Sequence, residues 1–406
     1  MSKKNSKKTV PELRFRGFTD PWEQRQLGEV AERTGSGGTP SSSDPRYYGG
    51  SIPFLGIGDI TGRFVDTTQK TLTKEGLENS AAWVVPQGAI SLAMYASYGK
   101  SAILSRPMAT SQAFFNVVFS SDATRDFIYS RFQCAEVRHE WDAMVSTGTQ
   151  PNLSGGKLKK WEVSLPPQPE QRLIGRFFST LDSLIAAAER QETLLRQKKQ
   201  AYLQLMFPCE GETQPRLRFS GFSGDWEQRQ SSELFVPVKE NGHSDLPVLS
   251  ATQSEGMVYR DDQSRDIKFK KDNLGSYKLV RAGDFVISLR SFQGGFELSD
   301  KTGIVSPAYT VFTHAECSSQ DNGYWKQYFK RRSFIESLKT VTFGIRDGKA
   351  ISFSDFSSLK CIFPTLPEQR LIGRFFSNLD SLIAAAEERT RALKEMKSAY
   401  LQRMFV

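Results

Sequence analysis

Gln150 and Arg346 stand at equivalent places in two halves of a chain that repeats itself, within TGTQ (147–150) and FGIR (343–346). Their side chains suit base edges in a DNA major groove: the amide matches adenine, and the guanidinium matches guanine O6 and N7. Loop residues facing water would look the same. A second aligned set comprises Tyr95, Tyr98 and Lys100 against Arg290, Gln293 and Gly295, across what reads as a hairpin tip. The loop TPSSSDPRYYGG (39–50) places Arg46, Tyr47 and Tyr48 among small polar residues, where they either lie on a duplex or cap a sheet. Two charge runs, Lys157, Lys159 and Lys160, then Lys330, Arg331 and Arg332, offer phosphate contacts or an ordinary solvated face.

Bond-making chemistry leaves no comparable trace. The chain has three histidines, His139, His243 and His314, with no HExxH and no neighbouring ligands, so a metal site is not expected. No GxxxxGK[ST] loop is present, and GSGG (35–38) lacks the strand and helix that a dinucleotide loop requires. An Asn/Asp-Pro-Pro-aromatic motif of amino-methyltransferases is also missing, and nothing in the sequence brings two acids together as a nuclease needs. Cys134, Cys209, Cys317 and Cys361 are scattered without a CxxC pair, which suits a reducing cytosol. MSKKNSKKTV reads as a basic tail rather than a signal peptide, and no apolar run approaches a membrane span. The net charge of +9 and pI near 9.2, with a mean hydropathy of −0.44, favour a polyanionic partner over a membrane.

These candidate side chains must be positioned by elements that the chain spells twice. PEQRLIGRFFSTLDSLIAAAE starts at Pro169 and recurs from Pro367, 198 residues later, with Thr180 replaced by Asn378 as the one difference. The helix ends match as well, AYLQLMF (201–207) against AYLQRMF (399–405). LRFRGFTDPWEQRQ (13–26) likewise prefigures LRFSGFSGDWEQRQ (217–230). A period near two hundred residues is domain-sized, so the pattern is globule, helix, globule, helix and not a solenoid.

Proline at the first helical position and glutamate in the first turn begin each helix. Apolar residues then follow at spacings of three and four: Ile174, Phe177, Leu181, Leu184, Ala188, Leu195, Tyr202 and Leu205. The copy supplies Ile372, Phe375, Leu379, Leu382, Ala386, Leu393, Met396 and Tyr400. This is a coiled-coil seam, interrupted at Gln191, Lys198 and Arg389. Two such seams bury each other most simply when antiparallel, in a rod of ~57 Å for about 38 residues. In the globules, GAISLAMYASYGKSAIL and GDFVISLRSFQGGFEL read as hairpins, AFFNVVF and AYTVF as strands, and 126–145 and 322–338 as helices with core-facing aromatics.

The quoted motifs resemble those of the specificity subunits of type I restriction–modification systems. LPPQPEQRLIGRFFSTLDSLI (165–185) and FPTLPEQRLIGRFFSNLDSLI (363–383) look like that family's conserved helix starts. TQPNLSGGKLKKWEVSLPPQPEQ (149–171) looks like the close of a target recognition domain, and RFxGFxxxWEQRQL, from Arg14 to Leu27, like its opening. RDGKAISFSDF (346–356) departs from the pattern in the second half. The resemblance implies an α+β fold: two pseudo-symmetric mixed α/β target recognition domains, residues 1–168 and 208–366, separated by two long helices, 169–207 and 367–406, packed as an antiparallel coiled coil. It implies a non-catalytic, cytoplasmic subunit whose two domains read halves of a bipartite, asymmetric site on double-stranded DNA. Its partners would be two modification subunits that methylate adenine N6 and, through them, restriction subunits. S-adenosylmethionine, ATP and Mg would belong to those partners, with no cofactor on this chain. Helix positions outside the seam, Arg172, Arg176 and Asp182 with their copies Arg370, Arg374 and Asp380, share a surface that would dock the modification subunits, although recent duplication or gene conversion explains their identity equally well.

The residues leave rivals open. A stand-alone two-headed repressor would bind DNA tightly with no methylase, a nuclease would hide a strand-borne acid pair, and a scaffold would use the helices without touching DNA.

Overall fold

The computed structural model describes residues 10–146, 151–252, 256–262, 271–288, 295–339 and 351–406. The chain forms two compact units, one from residues 1–191 with 386–406, the other from 192–385. The helices expected from the repeat are present as Gln168–Leu205 and Leu366–Met404. Both unit boundaries fall inside these helices, at 191/192 and 385/386. Each unit therefore holds the first part of one helix and the last part of the other.

In the first unit, Glu23–Gln26 pairs antiparallel with Glu162–Leu165, which joins the domain's opening to its close. A five-stranded sheet runs in the order Arg33–Gly35, Phe114–Val118, Ile90–Ala93, Ser101–Leu104 and Phe64–Val65. Ile90–Ala93 and Ser101–Leu104 form the expected hairpin, and all eight of their residues are buried. A four-stranded sheet takes the order Lys70–Leu72, Tyr48–Phe54, Met108–Thr110 and Trp83–Val85. The helix read at 126–145 is Asp122–Val137 followed by a short 3-10 turn, Glu140–Ala143. Left-handed His139 (φ 56°) makes the break between them.

In the second unit, Glu227–Gln230 pairs with Lys360–Phe363, repeating the first ribbon. Its main sheet orders Phe235–Val238, Thr310–His314, Phe285–Ile287 and Phe296–Leu298. The helical stretch read at 322–338 divides into Asn322–Tyr328 and Arg332–Leu338.

The long helices run antiparallel within each unit. In the first, Phe177 meets Tyr400 edge-on at 5.0 Å, Asp182 meets Lys397, and Glu189 meets Lys394 at 2.7 Å. In the second, Phe375 meets Tyr202 at 5.0 Å and Asp380 meets Lys199 at 2.6 Å. The Phe–Tyr and Asp–Lys contacts recur with the roles of the copies exchanged.

The buried stripe differs from the seam read in the sequence. Phe178 and Phe376 are fully buried where Phe177 and Phe375 are half-buried, and Leu184, Leu205, Leu382 and Met396 are exposed. The reason is that each helix serves two neighbours, its globule and the other helix, so its apolar stripe is wider and rotated from an a/d seam. Gln191, Lys198 and Arg389 face solvent and do not interrupt the packing.

The helix tails complete the globules. Leu401, Met404 and Phe405 lie in one core with Trp22, Phe127 and Phe178. Leu203, Met206 and Phe207 lie in another with Trp226, Tyr324 and Phe376. Gly175 and Gly373 let the shorter helices cross closely. A Cβ on Gly175 would fall 2.8 Å from Asp126 Cβ, and one on Gly373 would fall 2.4 Å from Asp321 Oδ1.

Candidate nucleic-acid interface

Two buried ion pairs fix the start of each domain. Arg14 donates from Nε and Nη2 to Glu170 at 2.7 and 2.8 Å, and Arg218 makes the same fork to Glu368 at 2.7 and 2.8 Å. The glutamates read as dipole partners in the sequence. Their near-complete burial makes them clamps between the RF motif and the helix start.

On that frame the first unit presents its candidate surface. The tip of the Ile90–Ala93/Ser101–Leu104 hairpin carries Tyr95, Tyr98 and Lys100. Ala93 N–H donates to Lys100 O at 2.8 Å and Gly99 N–H to Ala93 O at 2.9 Å. Asn152 forms isolated bridges to both Tyr95 and Ser146, and Leu153 N–H donates to Met94 O at 2.9 Å. The structure thus brings together two stretches that the sequence treats separately, the hairpin tip and the segment flanking Gln150. Gln150 itself, like Arg290, Gln293 and Arg346, lies outside the described residues.

Tyr98 donates its hydroxyl to Asp142 Oδ1 at 2.9 Å, a bond that raises its pKa, and Tyr48 donates to Pro40 O at 2.8 Å. Both therefore hold loops in place. Arg46 is exposed and forked onto Asp44 at 2.7 and 3.1 Å, which raises its pKa and fixes its direction. Tyr47 lies beneath that guanidinium, 6.0 Å from it. Lys157, Lys159 and Lys160 are exposed around the short helix Gly155–Lys159, which Leu158 anchors in the core. Lys157 also donates to Met144 O at 3.0 Å.

The second charge run is corrected in part. Arg331 is buried, its guanidinium 3.9 Å from the Tyr328 ring centre and 4.8 Å from that of Phe207, so it packs the core instead of facing phosphate. Lys330 pairs with Glu297, whose pKa burial raises against the opposing lysine. Arg332 is exposed and pairs with Glu336 at 2.9 Å.

The helix positions divide similarly. Arg172, Arg176, Arg370 and Arg374 are exposed, as are the repeated leucines Leu173, Leu184, Leu371 and Leu382. Asp182 and Asp380 are partly buried and take part in holding the fold. Asp182 accepts from Arg63 at 3.1 Å and pairs with Lys397, while Asp380 accepts from Lys199 and from Gln327 at 3.1 Å.

Sequence reasoning missed Arg63. It is buried, lies 4.6 Å from the Tyr129 ring centre, and bridges Asp126 at 3.0 Å to Asp182. It lines a cleft of about 920 Å³ with Lys100, Glu136 and Lys397. Nothing local in TGRFV signals this burial. Arg33, stacked 4.4 Å over Trp83 beside a groove of about 570 Å³, was also missed. There the cation and the aromatic are fifty residues apart in sequence and meet only in the fold.

Among the described residues no three His, Cys, Asp or Glu side chains cluster to hold a metal, and no helix is long and apolar enough to cross a membrane. His314 is buried in an aromatic nest with Phe235 and Phe285, which lowers its pKa to about 4.

Residues 19–197 match the family described as type I restriction modification DNA specificity domain. The chain is 26% identical over 177 residues to the MjaIX specificity subunit of Methanocaldococcus jannaschii, covering 43% of this chain and 41% of that protein. It is 26% identical over 188 residues to the EcoR124I/EcoR124II specificity subunit of Escherichia coli, covering 44% and 46%. The chain thus spans less than half the length of these curated relatives. In fold it is similar to the crystal structure of the type I restriction–modification S subunit from M. genitalium, with a TM-score of 0.60 at 12% identity, covering 98% of this chain and 99% of that one. A chain from work on complex assembly and conformational transition of the type I R-M system gives 0.54 at 17% identity, covering 95% and 97%.

Proposed function

We propose that the chain is a specificity subunit of a type I restriction–modification system and that it selects the DNA on which a methyltransferase complex acts. Each unit reads one half of a split, asymmetric site on double-stranded DNA. The long helices space the two readings and present equivalent surfaces to two adenine-N6 modification subunits, through which restriction subunits join. The chain itself is non-catalytic and cytoplasmic. S-adenosylmethionine, ATP and Mg belong to its partners.

The observation that carries this reading is the contrast within the repeat. The helices are near-identical and expose the same Arg172, Leu173, Arg176 and Leu184 stripe again as Arg370, Leu371, Arg374 and Leu382. Identical surfaces suit two copies of one partner. The main sheets between the repeated blocks keep one order for four strands, with Phe64–Val65 added in the first unit, while their sequences diverge, as two readers of different bases on one scaffold require.

The reading is tested by co-expressing the chain with a candidate modification subunit and mapping methyladenine in the host DNA. The expected result is methylation of a split site with a fixed spacer. A continuous short site, or no methylation, counts against it, and tight sequence-specific binding by the chain alone favours a repressor.

A further inference from the structure

The hairpin tip of the first unit is built to hold one side chain rigidly outward. Its two strands are buried at all eight positions, so the base of the tip cannot rock. Met94 is bonded on both sides, its N–H to Ala113 O and its carbonyl to Leu153 N–H, at 2.8 and 2.9 Å. Gly99 sits against Trp141, where a Cβ would fall 2.5 Å from the indole Cδ1. Tyr98 ties the far side of the turn to Asp142.

Between these anchors Ala96 adopts a left-handed backbone at φ 56°. A non-glycine residue held there is strained, and such strain persists where the surroundings impose it, often where a side chain is being aimed. The residue preceding it, Tyr95, is 37% exposed. Among the described residues its hydroxyl makes no hydrogen bond, whereas those of Tyr48 and Tyr98 do. An anchored tyrosine with an open face and an open hydroxyl can stack on or hydrogen-bond a base with little ordering entropy to lose.

We infer that Tyr95 is the side chain with which the first unit contacts a base of its half-site, and that Tyr98 is a positioning residue that fixes its direction. The inference rests on the DNA-reading role proposed above and adds to it the residue and the division of labour between two tyrosines.

The test uses the full chain co-expressed with its modification subunit, comparing the methylated-site maps of the wild type, Tyr95→Ala and Tyr98→Phe. Tyr95→Ala is expected to relax discrimination about tenfold or more at one or two adjacent positions of one half-site, with the other half-site and the spacer unchanged. Tyr98→Phe is expected to relax the same positions by less, because the tip loosens without losing the ring. An unchanged map for Tyr95→Ala overturns the inference. So does a uniform loss of methylation with fewer modification subunits in the purified assembly, which would make Tyr95 a protein contact. Relaxation by Tyr98→Phe at other positions overturns the positioning role. If the wild type itself methylates no split site, the DNA-reading premise fails first, and that outcome is distinct from all of these.

Discussion

Replacing Glu368 by glutamine removes the carboxylate that Arg218 grips with two nitrogens while leaving shape and volume almost unchanged. The glutamate side chain is 1% exposed and the arginine 15%, so the guanidinium keeps its burial and loses its countercharge. One neutral bond to the new amide oxygen remains possible, and Arg218 still donates from Nη1 to Gly224 O at 2.6 Å. Breaking one side of a buried pair costs about 3–5 kcal/mol. The surviving bonds place Glu368→Gln near the lower end, roughly 3 kcal/mol, or about two decades in the opening equilibrium. Because the pair lies within the second unit, hydrogen exchange followed by mass spectrometry is the appropriate assay. Amides of Glu227–Gln230 and Lys360–Phe363 are expected to exchange about a hundredfold faster, while the matching Glu23–Gln26 and Glu162–Leu165 ribbon is unaffected. Glu170→Gln is expected to give the mirror result. The double replacement Arg218→Met with Glu368→Leu removes the orphan charge and is expected to recover part of the loss. Exchange indistinguishable from wild type in Glu368→Gln, or a double variant worse than the single, refutes the buried-clamp reasoning.

Acid is expected to weaken the second unit through His314. Its folded pKa near 4 lies below the ordinary 6.5, so the unfolded chain binds the proton more readily. The stability this represents is present above pH 6.5 and is lost as pH falls to 4, by roughly 3 kcal/mol in total. Denaturant titrations at pH 7 and pH 5 measure it, and His314→Phe should flatten the slope. Gly373→Ala, which would gain about 1 kcal/mol in an open helix, is expected instead to destabilise by 1–3 kcal/mol, roughly the range for overpacking, because its Cβ strikes the Asp321 cap. Thermal melts decide the sign. Leu184→Asp and Leu382→Asp, at exposed positions, should leave stability within about 0.5 kcal/mol, and each should remove one modification subunit from the assembly weighed by native mass spectrometry. Deleting one helical turn within 194–204 is expected to change the methylated spacer or abolish assembly, and an unaltered spacer would take the helices out of that role.

The sequence displayed what is local or repeated. The long helices and the Ile90–Ala93/Ser101–Leu104 hairpin follow from periodicity, proline placement and duplication. What it hid depends on partners distant along the chain. The true burial stripe through Phe178 and Phe376 reflects a second neighbour that a one-dimensional pattern does not contain. Arg63, Asp182 and Arg331 look like surface charges until Asp126, Lys397 and Tyr328 are brought beside them. The loops proposed to read bases were legible as places, while the geometry around Tyr95 depends on left-handed Ala96, the Tyr98–Asp142 bond and the Asn152 bridge, which meet only in the fold.

Leu401, Met404 and Phe405 close the core around Trp22 and Phe127, whereas the second core draws its whole lining from 192–385. Birth order on the ribosome is thereby inverted. The earlier-made globule waits, its aromatic cavity unplugged, until Phe405 has been added, while the later one already has every residue it needs. A chain truncated near residue 390 would keep every residue of the second core and lack the Leu401, Met404 and Phe405 that close the first, the species to which a chaperone should bind.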